Sequence, residues 1–509
     1  MAVSISETEL KYDAPADLSL PRLDALAAVA STSGPDEQEL RADYFDTEDL
    51  RLLRAGITLR RRTGGGDAGW HLKLPAGPDT RTEIQLPLGR AVRQAPRALA
   101  ELVRARTRGL PLQPVATLTT RRRTTTLLSE NGESLADVAD DEVSGVRASD
   151  PGQVIRWHEV EVELTGGDAR LLADADKALR AAGLQRSGRS AKLERVLGSR
   201  ADLRPAEPRL TFSTPACQVV SWYLSEQAEA LVALDPAVRR GEPDSVHQMR
   251  VATRRLRGTL RTFATVLSRG EIAHVANELQ WLGGVLGRAR DAEVQAARIE
   301  RHLQQTDADQ LVGPVPARVH AHFAQADDQA RAAVSAALNS DRYMSLLAAL
   351  DRVITDPQPG SDGQSAAGRV LPAAVRRSYR KARRRMRRAK RSPPGPAREA
   401  ALHQARKAAK QARYAAEASA AVIGTKARRF ARRMEQVQSA LGDLQDAVIG
   451  SQLVRELASE ADQAGESAFS YGLFYAREIA TIRRVEARAL RVWKHAARAR
   501  YRRWMKSGA

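Results

Sequence analysis

Three glutamates at alternate positions, Glu159, Glu161 and Glu163 in HEVEVEL, set the hardest condition on this fold. On a strand, residues i and i+2 share a side about 6.5–7 Å apart. The segment therefore builds a column of like charge, backed by Val160, Val162 and Leu164. The pattern recurs along the N-terminal part. ETELK puts Glu7, Glu9 and Lys11 opposite Thr8, Leu10 and Tyr12; TLRRR puts Arg60 with Arg62. WHLKLP sets His71 and Lys73 against Leu72 and Leu74, and RTEIQL sets Glu83 against Ile84 and Leu86. One such column suits the wet face of an ordinary sheet. Five do not, because acid-only and base-only columns repel themselves without partners. A closed antiparallel barrel with a charged, water-filled lumen resolves the conflict: Glu columns face Arg and Lys columns. The apolar faces then point outward, under helices expected at 21–30 and 168–183. Carboxylates are hard ligands for Mg²⁺ or Mn²⁺, and Arg and Lys bind phosphate oxygens. Such a lumen suits a metal-bridged polyphosphate.

The chain is 509 residues long, which at ~100–200 residues per domain suggests two to four domains. Its charge is divided sharply. Residues 1–205 hold 30 basic and 31 acidic side chains, whereas 206–509 hold 51 basic and 30 acidic, a net of +21. The polar, Pro-bearing stretch 198–210 suits a boundary. A single cysteine, Cys217, excludes a disulfide framework and a Cys-based zinc site. No apolar run reaches the ~18 residues of a membrane span, and the N-terminus carries acids where a signal peptide would be basic. The expectation is a cytoplasmic protein that does not enter membranes.

The ordered motifs ETELK, LRRR, WHLKL, RTE, TTRRR (119–123), LADVADDEV (135–143), EVEVE and SAKLER (190–195) resemble the CYTH superfamily, the triphosphate tunnel metalloenzymes. The resemblance implies an eight-stranded antiparallel tunnel over residues 1–200 that binds a triphosphate and one or two divalent metals. Family members include inorganic triphosphatases, thiamine triphosphatases and a class of adenylate cyclases. Carried over by position, Glu7, Glu9, Glu159 and Glu161 look like metal ligands, joined by Asp141 rather than Asp140 on the D-x-V spacing. Glu7, Glu9 and Lys11 form the implied catalytic set. Lys11, Arg60, Arg62, Lys73 and Lys192 look like phosphate ligands. Strand parity favours Arg121 with Arg123 in that role, although three consecutive arginines leave the register open. His71 stands where the family more often has a small hydroxyl residue.

From residue 214 onward the apolar spacing is helical, and the segment is duplicated. HQMRVATRRLR (247–257) and HQARKAAKQAR (403–413) share one spacing. His247, Arg250, Arg254 and Arg257 match His403, Arg406, Lys410 and Arg413 at an offset of 156, and LGRARDA (286–292) matches LGDLQDA (441–447) at 155. The Gly/Pro/Ser-rich stretch 355–368 separates the copies. Each set of four lies on one helical face, where cations repel unless an anion or an acid such as Asp291 or Asp446 intervenes. The run 376–391 adds eleven Arg and Lys and no acid, and 491–506 is also basic. With few aromatics among these cations, nucleic acid is disfavoured and a bare phosphate chain favoured. The tandem helices resemble the CHAD domain, a helical module that often follows a CYTH domain and binds inorganic polyphosphate.

The fold expected is therefore an α+β two-domain chain. The tunnel domain spans 1–200, a linker 201–213, and the all-α domain 214–506, with repeats at about 214–354 and 369–506 related by pseudo-twofold symmetry. The function expected is Mg²⁺- or Mn²⁺-dependent hydrolysis of a triphosphate in the tunnel, with inorganic polyphosphate bound by the helical half. The alternative is a non-catalytic polyphosphate binder or a protein targeted to polyphosphate granules. No phosphate-binding loop, HExxH or dinucleotide turn competes with this reading.

Overall fold

The computed structural model describes residues 3–15, 19–77, 79–89, 93–199, 202–203 and 208–506. The chain divides into two compact units, Met1–Glu207 and Pro208–Ala509. Residues 200–201 and 204–207 of the expected boundary lie outside the described residues.

The first unit is an antiparallel barrel. Its strands are β1 (Val3–Ala14), β2 (Ser31–Asp46), β3 (Thr58–Thr63), β4 (Gly69–Pro75), β5 (Thr80–Pro87), β6 (Gln113–Leu128), β7 (Ser134–Arg147) and β8 (Asp150–Leu164). They run in the order β5-β4-β3-β2-β6-β7-β8-β1, and β1 also pairs with β5, which closes the ring. A two-residue β9 (Gln185–Arg186) adds to β1. Closure is possible because β1 splits its length: Val3–Thr8 pair with β5 and Glu9–Ala14 with β8.

Period-two alternation decides what lies on each side. Leu10, Tyr12, Val138, Val160 and Val162 face outward and pack under Leu171, Leu172, Ala175 and Leu179 of α3 (Ala169–Ala181). Asp168 caps α3 by accepting from the amides of Arg170 and Leu171. A second outer core joins Leu59, Trp70, Leu72 and Ile84 to Leu52 of α1 (Arg51–Arg54) and Leu99 and Val103 of α2 (Arg97–Thr107). Each large side chain buried this way contributes about 1.5–3 kcal/mol. The helix expected at 21–30 does not form. Only Leu23–Ala25 make a short 3-10 turn, because β2 begins at Ser31 and the chain has to span the barrel rim first. Leu23 and Val29 still reach the core beneath α3.

The lumen is not charged throughout. Ala42, Tyr44, Leu118 and Val143 make one end apolar, and α4 (Leu193–Leu197) fills it with Leu193 and Val196. This close approach requires a glycine on β7. A Cβ at Gly145 would stand 2.4 Å from Val196 Cγ2 and 3.3 Å from the Trp157 ring. Gly145→Ala should therefore overpack this end and cost about 1–3 kcal/mol, read from urea unfolding. Unchanged stability would show that α4 is not seated here.

The second unit is all helical: α5 (Ala216–Ala233), α6 (Asp235–Arg239), α7 (Ser245–Thr262), α8 (Arg269–Gln304), α9 (Val315–Asn339), α10 (Asp341–Thr355), α11 (Ala367–Arg391), α12 (Pro396–Ala418), α13 (Ala420–Ile423), α14 (Thr425–Gln463) and α15 (Phe469–Ala496). The two copies meet about a local twofold. The amide of Ala216 donates to Ser365 O and that of Ala367 to Thr214 O; Cys217 donates to Gly363 O and Gly368 to Phe212 O. Each bond is the image of its mate under exchange of copies. Equivalent helices accordingly pack on each other: α5 on α11, α7 on α12 and α8 on α14. No helix among the described residues is long and apolar enough to cross a membrane.

Candidate functional site

Inside the barrel the charged columns meet. Glu7, Glu9, Lys11, Arg60, Arg62, Lys73, Glu161 and Lys192 line one cavity of about 260 Å³. Lys192, the residue that opens α4, lies 3.0 Å from Asp141 Oδ2, 2.6 Å from Glu159 Oε1 and 2.6 Å from Glu161 Oε1. Helix α4 thus closes one end of the barrel and delivers a cation to the deepest carboxylates. Lys11 joins Glu9 at 2.7 Å to Glu161, and Lys73 holds Glu7 at 2.5 Å. Arg81 lies 3.7 Å from Glu9 and donates to the Ser190 carbonyl.

Burial alone would raise Glu161's carboxyl, but Lys11, Lys192 and Arg122 hold it well below the carboxylate range. Burial works against the Lys192 ammonium as well, yet Glu159, Glu161 and Asp141 keep its pKa far above the ordinary lysine value. The two cations on β3 differ: Tyr44, Glu83 and Glu7 hold Arg60 above the ordinary arginine value against its burial, while Arg62 pairs with Asp67. Burial, with Arg60 and Arg122 nearby, pushes Arg62 down to about 9. A buried guanidinium whose charge is disfavoured in this way is one that a bound anion would stabilise.

Asp141, Glu159 and Glu161 are buried and offer carboxylate oxygens within 4.8 Å of one another, which fits a divalent cation. Glu7 and Glu9 line the same lumen outside that triplet, and Glu7 Oε2 is buried without a hydrogen-bond partner. His71 is buried between β3 and β5. Its Nε2 faces the Asp67 carbonyl at 2.9 Å and its Nδ1 faces Glu83 at 2.8 Å, so this pair shares a proton beside Lys73.

The arginine triplet on β6 needs a correction. Arg122, not Arg121 or Arg123, turns inward: it grips Asp141 at 2.8 and 2.6 Å and Glu161 at 2.8 Å. Arg121 meets Glu37 and Arg123 meets Asp140 on the outside. The register explains it, since Arg122 shares a face with Gln38 of β2 and Asp141 of β7. Arg81, Glu83 and Tyr44 also line the cavity. Arg81 and Glu83 share strand parity in RTE, a signal the sequence carries; Tyr44 carries none.

The helical unit brings a second group together. Arg250 and Arg254 of α7 act on Arg406 and Lys410 of α12, so the repeated faces meet at the junction of the copies. Gly287 and Gly442, from the two LG motifs, form matched floors: Arg250 lies over the first and Arg406 over the second. Burial, then repulsion from Arg406, Arg254 and Arg250, pushes Lys410 down to about 6 against the pull of Asp446. Burial also lowers His247 and His403, whose Nδ1 atoms are both buried and unpartnered. Asp291 reaches Arg250 at 3.2 Å, so part of the charge is met internally. Two expected members go elsewhere. Arg413 is taken by Glu417 at 2.6 Å and Glu435 at 2.9 Å, and Arg257 donates to Gln280. These acceptors lie within reach at the far end of each face and divert it from the junction.

A CYTH domain model matches residues 6–196 and a CHAD domain model matches 223–455. The chain belongs to the CYTH–CHAD family. An uncharacterized protein of Mycobacterium tuberculosis, strain H37Rv, is 37% identical over 486 residues, covering 93% of this chain and 92% of the relative. Among solved structures, PptA from Streptomyces chartreusis is similar over 55% of this chain and all of its own, at 18% identity and a TM-score of 0.47. The CHAD domain from the plant Ricinus communis is similar over 58% of this chain and 97% of its own, at 25% identity and a TM-score of 0.44.

The register of the triplet has a direct consequence. Arg122→Ala removes a bidentate partner from buried Asp141 and should cost about 2–4 kcal/mol, below the full loss of a buried pair because Lys192 remains. Arg121→Ala, at an exposed pair, should change stability by less than about 0.5 kcal/mol. Equal effects in chemical denaturation would contradict the inward placement of Arg122.

Proposed function

We propose that the barrel of this CYTH–CHAD protein hydrolyses a triphosphate with the help of a divalent metal, and that the helical unit binds inorganic polyphosphate. One observation carries the first part. Three buried carboxylates lie within 4.8 Å of one another, in a lumen that also carries Arg60, Arg62, Lys73 and Arg122. In this reading Asp141, Glu159 and Glu161 hold Mg²⁺ or Mn²⁺, with Glu7 and Glu9 completing the acidic wall. A metal there supplies charge neutralisation on phosphate oxygens.

The chain's own residues do the rest. Arg60, Arg62, Lys73 and Arg122 take the phosphate oxygens and fix the substrate along the lumen. Lys192 and Lys11, now bound to carboxylates, would be free to turn to phosphate with those carboxylates holding a metal. The apolar end under α4 excludes water from one side. Positioning and charge neutralisation supply most of the rate in phosphoryl transfer, so no covalent nucleophile is needed. Phosphate release from inorganic triphosphate with Mg²⁺ or Mn²⁺ tests this. Glu159→Gln with Glu161→Gln should lower turnover at least about a hundredfold in a folded protein. Turnover at the wild-type rate would overturn the assignment.

For the helical unit, the supporting observation is the junction of Arg250, Arg254, Arg406 and Lys410, where cations from both copies outnumber their acids. A phosphate chain laid there would restore Lys410 toward its ordinary pKa. Binding then takes up a proton at any pH between about 6 and that restored value, so affinity falls as pH rises, by up to about tenfold per unit. His247 and His403, with lowered pKa values, change charge at lower pH. Between about pH 7 and 9 the slope therefore reports Lys410. Lys410→Arg should flatten it in titrations with polyphosphate. A slope unaffected by this change would contradict the role of Lys410.

A further inference from the structure

The duplication is symmetric at the junction and strongly asymmetric elsewhere. Helices α5 and α11 are mates under the local twofold, yet α5 holds no Lys or Arg and two Glu, while α11 holds eleven cations from Arg376 to Arg391 and no acid. Symmetry thus accounts for the junction cluster and not for α11. The helix is locked in place by its apolar side: Val370, Leu371, Val375, Ala382, Met386 and Ala389 are buried. Nine of the eleven cations are exposed. Among the described residues none of them makes an ion pair, and Lys381 has only Gln411 at 3.3 Å. Like charges three and four apart on a helix destabilise it, so this face carries an uncompensated load that a polyanion would relieve.

We propose that the outward face of α11 is a second polyphosphate-binding surface, distinct from the junction cluster, and that one chain thereby bridges two polyphosphate molecules. This rests on the polyphosphate reading of the helical unit. The two surfaces are electrostatically separate: the charges acting most on Arg406 and Lys410 come from α7, α8, α12 and α14, none from α11. The chemistry of the face selects its ligand. Its apolar side is buried in the domain, which leaves nothing to insert into a lipid surface. Its one aromatic, Tyr379, is buried against Trp493, which leaves no ring for stacking bases. Only phosphate charge is left to be recognised. At about 1.5 Å per residue the run is roughly 22 Å long, and it spans half the helix circumference, wider than a single phosphate chain. Two surfaces on one protein turn binding into cross-linking of long chains.

The test uses the full-length protein and a variant with Arg→Gln at 377, 380, 384, 387, 388 and 391, checked for wild-type thermal unfolding. Titration with short-chain polyphosphate should give one chain fewer per variant than per wild-type protein, the tunnel and junction sites being common to both. Long-chain polyphosphate should produce light scattering with wild type, reduced at least tenfold in the variant. A second variant, Arg250→Gln with Arg406→Gln and Lys410→Gln, should keep the α11 site and lose the other. Undiminished stoichiometry and scattering in the α11 variant would overturn the inference and leave the junction reading standing. So would loss of duplex DNA binding alone, which would make α11 a nucleic-acid surface. Wild type that binds no polyphosphate would overturn the reading of the whole helical unit.

Discussion

The contact of Lys192 with Asp141, Glu159 and Glu161 is the constraint around which the first unit is arranged. Three carboxylates buried together on β7 and β8 repel, and burial raises the cost further. A cation has to reach them, and it cannot come from their own strands. Arg122 supplies one from β6 and Lys11 another from β1, and the third comes from the residue opening α4, whose Leu193 and Val196 enter the apolar end of the barrel. The apolar contacts of Leu193 and Val196 thus hold the ammonium in place. Lys11 and Lys73 repeat the solution along β1 and β4.

Much of this was legible because strand alternation has only two outcomes. Once Val160 and Val162 are assigned to the outside, Glu159, Glu161 and Glu163 have to face inward, and only a closed barrel tolerates that. The same logic failed at Arg121–Arg123, where three identical side chains offer parity no contrast. The partners that break the tie, Gln38 and Asp141, lie on other strands. The apolar end of the lumen was also hidden. Ala42, Leu118 and Val143 look like outer-face residues until α4 is known to enter. Segment 21–30 has helical spacing, but the span it has to cover from the rim to β2 overrides that local preference.

In the helical unit the repeat was readable and the use of each cation was not. Matching His247/Arg250/Arg254 with His403/Arg406/Lys410 needed only the spacing. That Arg413 is neutralised by Glu417 and Glu435 depends on a side chain one turn away and another on α14. Twofold packing then does what neither copy could do alone. It brings two basic faces against each other and lowers the Lys410 pKa, so that part of the charge appears only when an anion arrives.

The barrel as described satisfies its charges internally, cation to carboxylate. In the proposed reaction those partners are exchanged: phosphate takes the cations and metal takes the carboxylates. Either ligand alone breaks pairs and leaves one side of each uncompensated, whereas both together satisfy all of them. Their affinities should therefore be coupled, each strengthening the other by the same factor. Calorimetric titration of inorganic triphosphate into the protein, without and with saturating Mn²⁺, measures this directly after correction for Mn²⁺ bound by free triphosphate. The account expects affinity to rise at least tenfold with the metal, and Mn²⁺ affinity to rise equally with triphosphate. Independent or mutually weakened binding would contradict the exchange of partners in the tunnel.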